Sequence, residues 1–89
     1  MTASREVLIA NRRGLHARAS AKFVTLAAAQ PISVTVAKGG SEVTGTSIMG
    51  LMMLGAAKGD TITISAVGDE AETVVATMCQ LVEDKFGED

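Results

Sequence analysis

The stretch NRRGLHARAS, residues 11–20, holds the one histidine of the chain together with Gly14, Arg12, Arg13 and Arg18. An imidazole with a reference pKa of about 6.5 is partly neutral and nucleophilic near pH 7. Gly14 can take a backbone conformation closed to other residues, and the helix-forming run ARASAKFVTLAAA starts at Ala17, so His16 falls near the N-cap. The first N–H groups of such a helix, those of Ala17, Arg18 and Ala19, lack internal partners and carry about half a positive charge, which attracts anions. The Arg18 guanidinium adds a fork of donors matched to phosphate oxygens. A histidine so placed can accept a phosphoryl group and hold the dianion that results; the plain alternative is a surface or capping residue. Acid–base catalysis wants an orienting carboxylate, and Glu6, the acid near in sequence, lies on a strand with no evident relation to the ring. One histidine and one cysteine, Cys79, cannot make a zinc site of the usual spacing. No metal or cofactor is expected.

The elements that must position this histidine are short. REVLIA (5–10) alternates as a strand, and the helix over 17–29 has its apolar positions at 20, 23/24 and 27/28 before Gln30 and Pro31 end it. ISVTVA (32–37) alternates again, KGG signals a tight turn, and SEVTG returns as the partner of a hairpin. SIMGLMML reads as a short helix closed by Gly55, and DTITISAV (60–67) as the last strand, with Ile62, Ile64 and Ala66 inward. The final helix opens at GDEAE, where acids suit the helix dipole, and carries the stripe Ala71, Val74, Val75, Met78, Leu81 and Val82. Each strand has one apolar face, which predicts a four-stranded antiparallel sheet with three helices on one side. A right-handed crossover sets the first two strands parallel with a gap between them, and the last strand fills it. The expected fold is an α/β (α+β) open-faced sandwich in the order β-α-β-β-α-β-α.

The 89 residues suit a single domain, 1–89, which buries about 60–65% of its unfolded surface and leaves little depth for an enclosed site. No apolar run reaches the roughly 20 residues of a membrane span, and the N-terminus lacks the pattern of a signal peptide, so a soluble cytoplasmic chain is expected. Residues 1–22 carry a net charge of +4, from five basic groups and Glu6, while residues 69–89 carry −6, from seven acids and Lys85. This predicts an electrically polar molecule with its histidine at the positive end. Nucleic acid is a poor partner, since the balance is acidic and two phenylalanines are the only aromatic rings apart from the histidine.

GLHARAS together with SIMGLMMLGAAKGD resembles the HPr family, the histidine-containing phosphocarriers of the bacterial phosphoenolpyruvate-dependent phosphotransferase system. NRRGLHARA and LMML…AAKG look most like its nitrogen-related branch. The resemblance implies that Enzyme I, charged by phosphoenolpyruvate, passes a phosphoryl group to Nδ1 of His16, and that an Enzyme IIA-type protein takes it. Arg18 matches the family's active-site arginine. The family usually has proline where this chain has Ala19, a change that loosens the helix start by about 0.5–1 kcal/mol. A sugar-transport carrier, or a binding module whose phosphorylation state controls a target enzyme, is the competing reading.

Ser47 stands where an N-cap for the second helix is expected. The resemblance adds phosphorylation there by an HPr kinase/phosphorylase, with a regulated enzyme as a further partner. In that helix Leu51 and Leu54 suit the core, which leaves Ile48, Met49 and Met52 to be exposed; the resemblance implies that these three form the apolar centre of a docking surface, rimmed by Arg12, Arg13, Arg18 and Lys22. Gly50 sits where sugar-type carriers commonly have a basic residue. Cys79 is expected to be a packed small residue, and the chain a monomer.

Overall fold

The computed structural model describes residues 1–88. Strands β1 (Thr2–Leu8), β2 (Val34–Lys38), β3 (Ser41–Thr44) and β4 (Thr61–Val67) form one sheet, and helices α1 (Ala17–Ala28), α2 (Ile48–Met53) and α3 (Ala71–Glu83) lie between and after them. A single tight turn, Lys85–Gly87, follows α3. The spatial order is β1-β4-β2-β3, with every neighbouring pair antiparallel, so β4 does fill the gap between the parallel β1 and β2.

Alternation dictates which face of the sheet is covered. Val7, Val34, Val36, Ile62, Ile64 and Ala66 point to the helices and are almost wholly buried, while the threonines and serines between them face outward. On α1, Ala19, Phe23 and Ala27 recur every four residues and seal that helix to the core. Complete burial of Phe23 contributes on the order of 2–3 kcal/mol. On α3 the stripe Ala71, Val74, Val75, Met78 and Val82 is buried as expected, and Cys79 is packed among it. Burial pushes the Cys79 thiol up from its ordinary range, so it is a poor nucleophile.

Several expectations shift at the edges. β1 begins at Thr2 and stops at Leu8, because Ile9 turns to bond with the 59–60 loop instead of continuing the ladder. Leu81, placed on the core stripe by periodicity, is only partly buried and packs against the core from its margin. Ile32, expected in β2, precedes the strand and is likewise partly buried. Asp89, one of the seven acids counted above, lies outside the described residues.

Candidate functional site

The histidine loop, residues 9–16, is held between β1 and α1 by bonds to a distant part of the chain. The Ile9 N–H donates to the Asp60 carbonyl at 2.8 Å, the Gly59 N–H to the Ile9 carbonyl at 2.8 Å, and the Leu15 N–H to the Ala56 carbonyl at 2.9 Å. Gly14 lies inside this clamp with φ +63°, and a Cβ there would collide with the Ala56 carbonyl oxygen and come within 2.8 Å of Ala57 Cα. Glycine is required twice over, for its left-handed backbone and for the close approach of the two loops. Asn11 is fully buried beneath the loop and donates from Nδ2 to the Gly14 carbonyl at 2.8 Å. Ser20, also buried, donates to the Leu15 carbonyl at 3.2 Å. The backbone leading into His16 is therefore fixed on both sides.

His16 is the N-cap of α1, in extended conformation, and its Nδ1 accepts the backbone N–H of Arg18 at 3.3 Å. That distance lies just beyond the ordinary range for an N–H donor, so the lone pair is aimed at the helix start but weakly engaged. Nε2 faces a carboxylate: it lies 3.1 Å from each oxygen of Glu88. The neutral tautomer that satisfies both contacts carries its proton on Nε2 and leaves Nδ1 as the nucleophile. The ring and the carboxylate are 14% and 20% exposed, so the contact is screened from most of the solvent.

The rest of the tail explains how Glu88 arrives. Phe86 is buried, Lys85 and Phe86 adopt left-handed backbone angles of φ 58° and 56°, and Lys22 Nζ donates to the Phe86 carbonyl at 2.7 Å. Asn11 Nδ2 then donates to Glu88 Oε1 at 2.8 Å. That hydrogen bond, followed by the one from His16 and the charges of His16 and Lys22, holds the Glu88 carboxyl below its ordinary titration range despite some desolvation. This corrects the simple picture of opposite charged ends. The acidic C-terminal segment folds back, and one of its carboxylates sits on the histidine.

Arg12, Arg13 and Arg18 are exposed around the loop, and Ala17 and Ala19 follow His16 on α1, with Ala19 fully buried. Ser47 caps α2, accepting the Gly50 N–H at 2.9 Å. A side chain at Gly50 would come within 3.0 Å of both Ser47 Oγ and Val43 Cβ, so the glycine lets α2 lie close to β3. Leu51 and Leu54 are buried, while Ile48, Met49 and Met52 are exposed as expected. Met53, passed over by the sequence reading, is the most exposed of all at 80%. α2 packs beside α1, which sets this apolar patch next to the histidine helix. Three further residues escaped the sequence reading: Asn11, Phe86 and Glu88. Of the three only Asn11, a polar residue in the loop just ahead of the histidine, carried a local signal.

Residues 3–84 match the family profile described as the PTS HPr component phosphorylation site. The chain belongs to the HPr family. It is 51% identical over 81 residues to the phosphocarrier protein HPr of Neisseria meningitidis, across 90% of each chain. It is 38% identical over 84 residues to the phosphocarrier protein NPr of Shewanella violacea, covering 94% of this chain and 92% of the relative. A crystal structure of HPr from Thermoanaerobacter tengcongensis superposes with a TM-score of 0.91 at 38% identity, covering 98% of each chain. HPr proteins are phosphocarriers of the phosphotransferase system, and the family works with Enzyme I and Enzyme IIA proteins. The profile match ends at residue 84, and the structural likeness to the Thermoanaerobacter tengcongensis protein extends over nearly the whole chain.

Proposed function

We propose that residues 1–89 act as one HPr domain that accepts a phosphoryl group on Nδ1 of His16 from phosphoenolpyruvate-charged Enzyme I and delivers it to an Enzyme IIA-type protein. The observation that carries this reading is the aim of Nδ1 at the start of α1, 3.3 Å from the Arg18 N–H. The transferred group enters where the N-terminal N–H groups of Ala17, Arg18 and Ala19 and the Arg18 guanidinium meet. The Nδ1 lone pair bonds to phosphorus while the donor leaves with its own electron pair, and the reverse exchange serves the acceptor. A shallow site at the surface suits this chemistry, because each partner brings the rest of a shared site.

Ile48, Met49 and Met52 form the apolar centre of the docking surface in this proposal, with Arg12, Arg13, Arg18 and Lys22 at its rim; Met53 extends it. Ser47 is the proposed second phosphorylation site, for an HPr kinase/phosphorylase. The nitrogen-related branch is the finer assignment, supported by Gly50 in place of a basic residue. In this reading the protein works as a cytoplasmic monomer. Among the described residues no helix is long and apolar enough to cross a membrane.

The test is incubation with phosphoenolpyruvate and Enzyme I, then with purified nitrogen-type and sugar-type Enzyme IIA proteins. An acid-labile label that disappears in His16→Ala and moves preferentially to the nitrogen-type acceptor is expected. Absence of label on the wild type overturns the carrier reading, and preference for the sugar-type acceptor overturns the branch. Label that reaches neither acceptor favours a regulatory binding module.

A further inference from the structure

We propose that the docking face carries a modification site: oxidants of the peroxide class convert Met49, Met52 and Met53 of α2 to methionine sulfoxides, and the polar face so formed no longer seats Enzyme I. The inference rests on the docking surface proposed above and adds a chemical means of switching it.

The placement of the oxidisable side chains carries the argument. The chain has five methionines, one cysteine and no tryptophan or tyrosine. A cysteine is oxidised readily when it is ionised and accessible. Cys79 is neither, since it is 0% exposed and burial pushes its thiol up. Met78, its neighbour on α3, is equally buried in the core. Met1 is exposed but stands before the start of β1, where its carbonyl accepts the Gly68 N–H, whereas the histidine loop follows the other end of that strand. The remaining methionines share the six-residue α2, with Met53, Met49 and Met52 exposed by 80%, 70% and 42%. That exposure is built into the packing. Leu51 and Leu54 take the core-facing positions and Gly50 lies against Val43, so the methionines are left to solvent beside the histidine helix. Leucine there would offer a comparable apolar surface without an oxidisable sulfur.

The reaction balances with the peroxide as co-reactant. The thioether sulfur gives an electron pair to one peroxide oxygen, the O–O bond breaks, and the second oxygen leaves with both protons as water. Sulfur is oxidised by two electrons and the peroxide is reduced by two. The new oxygen is a strong hydrogen-bond acceptor. The α2 sequence IMGLMM has no polar side chain to satisfy it, so an apolar partner surface pressed onto the helix would bury unpaired acceptors. His16 and Arg18 are left unaltered, and the effect therefore falls on docking and spares the transfer step. Methionine sulfoxide reductases return the thioether, which makes the modification reversible.

The test treats the full chain with hydrogen peroxide, maps sulfoxides by mass spectrometry and measures phosphoryl transfer from Enzyme I. Sulfoxides are expected on Met49, Met52 and Met53 while Met78 is still intact. The concentration of this protein that half-saturates Enzyme I should rise about tenfold, the scale of spoiling an apolar anchor at an interface, with the maximal rate little changed and the loss reversed by sulfoxide reductase. The triple variant Met49→Leu, Met52→Leu, Met53→Leu, compared with its own untreated form, should show no peroxide effect although Met1 is still oxidised. Oxidation of Met78 as fast as the other three overturns the selectivity. An unchanged half-saturating concentration makes the three methionines a sink for oxidant and overturns the switch, as does an equal peroxide effect in the triple variant. Calorimetric binding to Enzyme I reads the same tenfold loss without any transfer, so failure of the carrier reading is seen separately, as untreated wild type that takes no label.

Discussion

Two helices of this protein begin with a side chain that caps them, and the two caps have been put to different use. At α2, Ser47 Oγ accepts the Gly50 N–H at 2.9 Å, a short bond that satisfies the helix start. At α1, His16 Nδ1 stands 3.3 Å from the Arg18 N–H, a loose contact that leaves the donors facing outward and the lone pair accessible. The surroundings differ as well: Glu88, Asn11 and Lys22 gather round the first, while Met49 and Met53, 70% and 80% exposed, flank the second. In the proposed function, what sets one helix start apart as a phosphoryl site is an incompletely satisfied cap and the charges fixed around it. The dipole alone is common to both.

The comparison can be broken most sharply at the caps themselves. His16→Ala is expected to abolish the acid-labile label made by Enzyme I while changing stability little, because the cap it removes is weak. Ser47→Ala should show the reverse, full labelling with a loss of about 1 kcal/mol in urea denaturation. Equal behaviour of the two variants in either assay would remove the distinction. Arg18→Ala is expected to slow transfer about a hundredfold, the usual scale for deleting one donor to a developing anion, read in the same rapid-quench experiment.

Gly14→Ala attacks the loop that aims the histidine. With a Cβ driven against Ala56 and Ala57, it should cost about 2–4 kcal/mol in denaturation. Ala19→Pro tests the departure from the family pattern and should raise stability by about 0.5–1 kcal/mol while shifting the phosphohistidine lifetime slightly. No change in either would leave position 19 without a role. The smallest effect concerns pH. Because the Glu88 carboxyl is depressed in the folded protein, chiefly by Asn11, its stabilising contact is present above the ordinary value of 4.5 and fades as pH falls through the lower folded value. Tail resonances from Phe86 should report that release in acid, and Glu88→Ala should show no such step.

Much of the first helix start was legible in sequence because its signals are local. Glycine two residues before the histidine, arginine two after it and an alanine-rich run together specify a turn, a cap and a helix within ten residues. The inward and outward residues of α2 were readable too, since a six-residue helix cannot bury every apolar side chain it carries. Met53 was missed because it follows Met52 and the helix is too short for periodicity to separate them. Glu88 was invisible for a different reason. It lies 72 residues from His16, beyond the last periodic element, and reaches the ring through left-handed angles at Lys85 and Phe86 that neither residue type announces. Summed by segment, its charge pointed to the opposite end of the molecule.

The strand order β1-β4-β2-β3 carries a consequence for the moment at which the protein becomes functional. β1 finds its ladder only against β4, more than fifty residues further on, and the histidine loop is fastened to Ala56, Gly59 and Asp60. Such long-range closure is slow and comes after local helices have formed. A ribosome must therefore release nearly the whole chain before His16 is aimed at anything. Under the proposed carrier role, a polypeptide truncated before β4 is therefore expected to take no label from Enzyme I although it contains the motif.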